Sequence, residues 1–190
     1  MTKENKRKIV VAVTGATGSL YLHSFLKMST KLADLEIHGI CSEAGEKVVE
    51  LELGLATAAL PGVSRWFAID DFGAPCASGS SNYQAMIVLP CTMGSLAAIA
   101  TGQSINLIHR SADVMLKERK QLILGVRETP FNRNHLANML RAHDAGALIF
   151  PPMVSYYLRP QSIEEAADMY SWRIYDHLGV VIPGRRRWQG

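Results

Sequence analysis

The stretch IVVAVTGATG, residues 9–18, decides the fold class of this chain. Its first half, residues 9–13, is apolar at every position, which is typical of a strand covered on both faces and therefore of a parallel sheet. A glycine-rich turn follows at once, and residues 19–32 then have the pattern of a helix. The stretch thus predicts the first strand–turn–helix unit of an α/β domain.

The same alternation continues to the end of the chain. Further short apolar runs lie at residues 36–41, 66–69, 86–89, 122–126 and 147–150, and helical patterns lie between and after them at residues 43–53, 94–100, 105–117, 135–143 and 163–178. Ser162 and Glu165 form a capping-box pattern before the last helix, and Gly179 follows its end. We predict a single-domain, open, doubly wound sheet, flavodoxin- or Rossmann-like and mostly parallel, with helices on both faces. Residues 53–64 are predicted to be a surface loop.

Length and charge limit the organisation of the chain. Its 190 residues suit one domain over 1–190, and basic residues gather in predicted tails at 1–8 and 180–190. The net charge of +3 and the lack of any RNA- or DNA-binding signature argue against a nucleic-acid partner.

The cysteines and the hydropathy of the chain indicate the cellular compartment in which the protein is expected. Cys41, Cys76 and Cys91 are an odd number without a close pair, which suggests neither a disulfide framework nor a zinc site and fits a reducing compartment. The longest uncharged stretch, from residue 85 up to Arg110, is interrupted by Pro90 and two glycines, so no membrane span is predicted. We expect a cytoplasmic protein. The six histidines show no ligand spacing, and no metal site is expected.

Polar residues follow the predicted strands where ligands bind in such folds, beyond the carboxyl ends near the reversal of strand order. In the turn at residues 14–18, backbone N–H groups and the helix dipole could receive a phosphate, or the glycines could serve a tight turn alone. Tyr21 stands where the dinucleotide fingerprint needs a small residue, which argues against NAD(P). Residues 90–95, PCTMGS, repeat the arrangement, and two hydroxylated loops suit FMN; ordinary helix capping by Thr92 or Ser95 is the alternative.

Other residues that could carry chemistry also have a structural interpretation. Arg127 and Glu128 end an apolar strand, where they either meet a ligand or form a structural ion pair. Lys117 closes a helix, where a cation complements the helix dipole. Cys91 has no neighbouring base in sequence and is interpreted as a buried, inert thiol.

With these pieces placed, the sequence resembles the UbiX-type flavin prenyltransferase family nearly end to end. The resemblance is carried by TGATGS, CSEAGEKVVELE, APCASGSS, MIVLPCTMGSLAAIATG, NLIHRSADVMLKERKQLILGVRETPF, HLANML, YYLRPQSIEE and the closing Arg-Trp. It implies a flavodoxin-like domain that joins a dimethylallyl group from dimethylallyl phosphate to N5 and C6 of reduced FMN. It also implies a metal-independent homododecamer with active sites at subunit contacts, whose product, prenylated FMN, serves a separate UbiD-type decarboxylase.

The resemblance also assigns site residues. It places the flavin against Gly15, Ala16, Thr17, Ser42, Thr92, Met93, Gly94, Ser95 and Arg127. It places the prenyl phosphate against Ser78, Gly79, Lys117, Arg127, Glu128, Tyr157 and Arg173. The aromatic candidates for the allyl pocket are Tyr157 and Trp188. The catalytic residues it implies are Glu128, Thr17, Lys117 and Glu52. Thr17 stands where many relatives have Ser, and Phe72 where some have Trp.

Three other functions remain open at this point. The first is a flavin-dependent decarboxylase of the phosphopantothenoylcysteine decarboxylase type, although its Pro-x-Met-Asn loop is not found here. The second is an accessory subunit that binds FMN without transforming it. The third is an NAD(P)-dependent reductase, which Tyr21 disfavours.

Overall fold

A computed structural model describes residues 6–187, which fold around one sheet of six parallel strands. The strands are β1 (Arg7–Val13), β2 (Leu35–Cys41), β3 (Val63–Phe67), β4 (Tyr83–Cys91), β5 (Gln121–Val126) and β6 (Ala147–Ile149). Their spatial order is β3-β2-β1-β4-β5-β6. The predicted doubly wound class is confirmed, and its order reverses between β1 and β4, where a crevice for ligands is expected.

Six α-helices lie between the strands or after the last strand within the described residues. They are α1 (Ser19–Ser29), α2 (Glu43–Leu53), α3 (Met93–Ala100), α4 (Leu107–Lys117), α5 (Arg133–Asp144) and α6 (Ile163–His177). Short 3-10 turns lie at Thr57–Ala59, Pro75–Ala77 and Tyr156–Leu158. The helix at 43–53 was predicted to the residue, because Ser42 caps its start and Gly54, at φ 66°, ends it.

The two faces of the sheet build two cores. Even-numbered residues of β1, such as Val10 and Ala12, pack with α3, α4 and α5. Odd-numbered residues, such as Ile9 and Val11, pack with α1, α2 and α6. Both sets are fully buried. Successive side chains of a strand point to opposite faces, so a strand between two helical layers must be apolar throughout.

The predictions for one loop and for both tails were wrong. Residues 53–64 are not simply a surface loop, because Thr57 and Leu60 are buried in the turn that leads to β3. The N-terminal tail is shorter than predicted, since β1 already begins at Arg7. At the other end, Val180 packs against a core cluster and Ile182 is buried in it.

The start of α6 confirms only part of its predicted cap. The Ser162 hydroxyl accepts the backbone N–H of Glu165 at 3.1 Å, as expected. The Glu165 carboxylate, however, accepts the N–H of Gln161 at 2.6 Å rather than that of Ser162. Gly179 follows the helix with φ 68°, as predicted. Among the helices of residues 6–187, none is both long and apolar enough to cross a membrane.

Candidate active site

Thr14 fastens two strand ends together at the point where strand order reverses. Its hydroxyl donates to the carbonyl of Pro90 at 2.8 Å and accepts the N–H of Thr92 at 2.8 Å. The Thr14 N–H also donates to the Pro90 carbonyl at 3.2 Å, and the residue is only 3% exposed. The two hydroxylated loops predicted from the sequence are therefore neighbours. The sequence analysis missed this linking role, for which a hydroxyl directly after β1 is the only signal.

Two more loops join the same edge through backbone hydrogen bonds. The N–H of Ser42 donates to the carbonyl of Val13 at 3.0 Å, and that of Arg127 to the carbonyl of Cys91 at 3.1 Å. Gly15 allows the close approach of α2, because a Cβ added there would lie 2.5 Å from that of Ala44. The residues predicted to hold a flavin thus surround one crevice.

The first turn of α3 has both room and donors for an anion. The Thr92 hydroxyl accepts the N–H of Ser95 at 3.2 Å, while within residues 6–187 no hydrogen bond takes the N–H of Met93 or Gly94. A Cβ added at Gly94 would meet only the Thr92 hydroxyl, at 4.0 Å, and the turn carries no acidic residue. Unpaired N–H groups at the positive end of a helix favour a phosphate.

The first turn of α1 differs, because its N–H groups already have an acceptor. The phosphate that the sequence suggested for this turn therefore does not find those donors free. Glu52, at the end of α2, accepts the N–H of Gly18 at 3.0 Å and that of Ser19 at 2.7 Å. A carboxylate is favoured at a helix N-terminus for the same reason as a phosphate, so these donors are already taken. Sequence spacing could not show that the end of α2 reaches the start of α1.

Glu52 and Thr17 line one side of a cavity of about 560 Å³, which Tyr21, Val154 and Ile163 also line. Partial burial raises the pKa of Glu52, but the Thr17 hydroxyl and the backbone N–H groups of Ser19 and Gly18 outweigh it and hold that pKa below its usual range. The cavity therefore has a charged carboxylate beside a hydroxyl, which is an arrangement able to hold and move a proton.

Arg127 and Glu128 lie exposed beyond β5 at this edge. Glu128 accepts the N–H of Thr129 at 2.9 Å, and among the described residues the two side chains form no ion pair with each other. Burial and Tyr156 raise the pKa of Tyr21, whereas Arg127 lowers it, which places the guanidinium within electrostatic reach of the cavity wall. The alternative of a structural Arg127–Glu128 pair is not borne out.

Tyr157 and Arg173 share a second cavity, of about 470 Å³, beside α6. Arg173 is exposed, and the same cavity is also lined by Arg185, Arg186 and Arg187. These last three arginines fall in the tail predicted from the sequence at 180–190. Trp188 lies outside the described residues.

The opposite end of the strands, away from the crevice, carries Lys117, Ser78 and Gly79. Lys117 ends α4, shortly before β5 begins at Gln121, and pairs there with Glu118. A Cβ added at Gly79 would lie 2.6 Å from the Lys117 ammonium. A strand rises about 3.3 Å per residue, so the length of β5 separates this end of the strands from Arg127 by roughly 16 Å. Within one chain, Lys117 and Arg127 therefore lie at opposite ends of β5, which is compatible with the expected active sites at subunit contacts.

The cysteines are buried and unreactive. Cys91 is 0% exposed, and burial raises the pKa of its thiol to about 12. Burial likewise raises the pKa of Cys41 to about 11. All three cysteines are free thiols, and the interpretation of Cys91 as an inert thiol is confirmed.

Comparisons with known proteins agree with this geometry. The family model described as Flavoprotein matches residues 1–173. A protein of Bacillus subtilis (strain 168), named as a probable UbiX-like flavin prenyltransferase, is 41% identical over 186 residues, covering 97% of this chain and 91% of the relative.

Two solved structures are similar over nearly the whole chain. A crystal structure of AnUbiX (PadA1) in complex with FMN and dimethylallyl pyrophosphate is 39% identical, with a TM-score of 0.93 over 97% of this chain and 98% of that one. A dodecameric FMN-dependent UbiX-like decarboxylase from Escherichia coli O157:H7 is 35% identical, with a TM-score of 0.92 over 96% of this chain and 100% of that one.

Proposed function

The chain belongs to the UbiX-type flavin prenyltransferases of the Flavoprotein family, and from this premise we propose that it joins the dimethylallyl group of dimethylallyl phosphate to reduced FMN. The observation that carries the proposal is the pairing of Thr17 with Glu52 on a cavity at the same sheet edge as the open turn of α3. That edge offers a place for the flavin phosphate and a proton-handling pair near it.

The residues at the crevice fit FMN. The N–H groups of Met93 and Gly94 would receive the flavin phosphate, and Arg127 would add a positive charge. Gly15, Ala16, Thr17, Ser42 and Ser95 would border the rest of the flavin. When bound, reduced FMN supplies the N5 and C6 atoms to which the prenyl group becomes attached.

Cations promote the departure of the phosphate. The C1–O bond of the donor breaks, its electron pair leaves on the phosphate oxygen, and positive groups stabilise the charge that gathers there. Lys117, Arg127 and Arg173 would supply those groups, and Glu128 would hand on the proton that departs with the phosphate.

The reaction includes proton transfers that Thr17 and Glu52 would assist. New bonds join donor C1 to N5 and donor C3 to C6; N5 gives up its proton to the phosphate, and the proton lost from C6 is matched by one gained at donor C2. The Thr17 hydroxyl and the Glu52 carboxylate lie beside the cavity where these transfers would occur. Neither residue needs to form a covalent bond.

The complete phosphate site would be shared between subunits. Lys117 and Gly79 lie where the strands begin and Arg127 lies where β5 ends, so a neighbouring chain must bring them together. We propose a homo-oligomer, specifically a dodecamer, in which active sites form at subunit contacts. The exposed apolar side chains Leu136, Leu140 and Met153 are consistent with surface that becomes covered on assembly.

The product needs a recipient, which we propose to be a UbiD-type decarboxylase that uses prenylated FMN. We also propose a cytoplasmic location, supported by three free thiols that remain unpaired in the fold.

Substituting Glu128 by Gln tests catalysis against mere flavin binding. The variant keeps the shape of the side chain and leaves the α3 turn intact, so it should retain FMN while losing turnover. Retained FMN with undiminished prenyl transfer would contradict the role of Glu128. No transfer by the unaltered protein, with FMN bound, would favour an accessory subunit.

A further inference from the structure

Tyr21 interrupts the pattern of small residues after β1, and the structure shows where its side chain lies. It is the third residue of α1, is half-buried, and lines the cavity of about 560 Å³ together with Thr17 and Glu52. A small residue at this position lets a helix pack closely on a strand, whereas tyrosine brings a phenol to the cavity wall. This phenol belongs neither to the Thr17–Glu52 pair nor to the proposed phosphate ligands.

Contacts with α6 fix the position of the Tyr21 ring. The ring meets that of Tyr170 edge to face, with the ring centroids 5.0 Å apart. Tyr170 is itself held, because its hydroxyl donates to the carbonyl of Phe150 at 2.6 Å. The backbone carbonyl of Tyr21 also accepts the Ser171 hydroxyl at 3.4 Å. The ring is therefore in place before a ligand arrives, which lowers the entropic cost of binding through its hydroxyl.

The hydroxyl of Tyr21 differs from that of Tyr170 in having no partner in the fold. Within residues 6–187 it forms no hydrogen bond, although the ring beneath it is packed. Burial and Tyr156 raise the pKa of this phenol more than Arg127 lowers it, so the group stays protonated at neutral pH. A protonated phenol donates one hydrogen bond, and this one is available to a ligand.

Two elements of the proposed phosphate site lie close to this side chain. Val154 lines the same cavity as Tyr21, and three residues later the chain reaches Tyr157, in the short turn Tyr156–Leu158. Arg127, beyond β5, lies within electrostatic reach of the Tyr21 phenol. Tyr157 and Arg127 are both proposed ligands of the prenyl phosphate, so the phenol is near two groups that would hold this anion.

We propose that the Tyr21 hydroxyl donates a hydrogen bond to a terminal oxygen of the prenyl phosphate beside Arg127. The inference rests on the proposed function and adds a residue to its substrate site. A neutral donor can bind an oxygen without adding to the repulsion among the cations. As the C1–O bond breaks and its electron pair moves onto the phosphate, the hydrogen bond strengthens. Tyr21 keeps its own proton, so the phosphate still takes the proton from N5.

Binding of inorganic phosphate tests this role without turnover. In calorimetry on the FMN-loaded oligomer, Tyr21→Phe keeps the ring and should weaken phosphate binding about tenfold, as for a hydrogen bond to a charged group. Tyr175→Phe is the matched control, because its hydroxyl donates to the carbonyl of Phe25 at 2.7 Å in the core, and phosphate affinity should be unchanged. Equal phosphate affinity in Tyr21→Phe and the unaltered protein would overturn the proposal, and so would no phosphate binding by either.

Stability and turnover separate this role from a structural one. The urea midpoint should stay unchanged in Tyr21→Phe and fall in Tyr175→Phe, since only the second variant loses an internal hydrogen bond. For dimethylallyl phosphate, kcat/KM should fall about tenfold in Tyr21→Phe and less than about twofold in the control. Loss of FMN or of stability in Tyr21→Phe, with phosphate affinity retained, would contradict the proposal. Weaker phosphate binding by Tyr21→Phe, with no prenyl transfer by the unaltered protein, would support the role of Tyr21 and contradict the proposed function.

Discussion

The Glu52 carboxylate accepts the backbone N–H of Ser19 at 2.7 Å and so connects the end of α2 to the start of α1. This contact puts a negative charge at the positive end of a helix and keeps it beside the Thr17 hydroxyl. Glu52 of α2 and Thr17 of the turn after β1 therefore present a carboxylate–hydroxyl pair to the cavity.

Removing the charge of Glu52 should slow proton transfer without releasing FMN. We expect Glu52→Gln to lower the single-turnover rate of prenyl transfer about 10²-fold, the usual size of a general acid–base contribution. Thr17→Ala should act in the same direction, whereas Thr17→Ser keeps the hydroxyl and should stay within about threefold. Loss of bound FMN in Glu52→Gln would instead assign Glu52 to flavin binding.

Sharing of the phosphate site predicts complementation between two inactive variants. Lys117→Ala and Arg127→Ala should each lose about 10²-fold or more in prenyl transfer. Oligomers assembled from a mixture of the two should regain part of the activity, because some contacts pair an intact Lys117 edge with an intact Arg127 edge.

The matched control is a mixture of two other singly substituted proteins, Arg127→Ala and Glu128→Gln. Both changes fall at the same sheet edge, so no contact between these chains restores a complete site. Activity in this control equal to that of the Lys117 mixture would contradict a shared site, and so would a Lys117 mixture no more active than its parts.

Thr14 should contribute more to the free energy of unfolding than a surface threonine does. Thr14→Val removes the hydroxyl that satisfies the Thr92 N–H and the Pro90 carbonyl, and we expect the free energy of unfolding to fall by about 2 kcal/mol. Thr14→Ser retains both hydrogen bonds and should lose less than half as much. Urea denaturation measures both values, and a Thr14→Val protein as stable as Thr14→Ser would contradict the linking role.

A half-buried histidine, His38, predicts a pH dependence of stability. His38 Nε2 donates to Glu36 at 2.8 Å, and Nδ1 accepts from Tyr83. Burial lowers the pKa of His38, Glu36 opposes this, and Lys8 and Arg65 add to it. A lowered folded-state pKa means that the unfolded chain binds the proton more readily, so stability is present above the ordinary histidine pKa of about 6.5 and is lost as pH falls through the folded-state pKa.

Unfolding free energies of the unaltered protein and of His38→Gln at several pH values below about 7 test this dependence. His38→Gln should flatten the slope, and His143→Gln, which alters an exposed histidine of α5, should not. Identical slopes in His38→Gln and the unaltered protein would exclude His38 as the source.

The regular part of the fold was predictable because buried parallel strands must be apolar on both faces. The prediction failed at β3, which was expected at 66–69 and spans Val63–Phe67. This strand lies at the edge of the sheet, and its exposed Ser64 and Arg65 interrupt the apolar pattern. Edge strands do not need two apolar faces, so hydropathy alone locates them poorly.

The site was predictable one loop at a time but not as an assembly. Thr92 caps α3, which was the alternative interpretation of its loop, and Ser42 caps α2. The sequence does indicate that Lys117 and Arg127 are separated within one chain, because a helix leading into β5 must end at the opposite end of that strand from the residue that follows it. Nothing in the spacing of Glu52 indicated its hydrogen bonds with the start of α1.

The most direct test of the account mixes the purified protein with reduced FMN and dimethylallyl phosphate, or its diphosphate, and measures the mass of the flavin released on denaturation. We expect a flavin heavier by one prenyl unit, formed only when protein, reduced flavin and donor are all present. Flavin of unchanged mass from protein that binds FMN and has assembled into its oligomer would contradict the assignment of prenyl transfer to this chain.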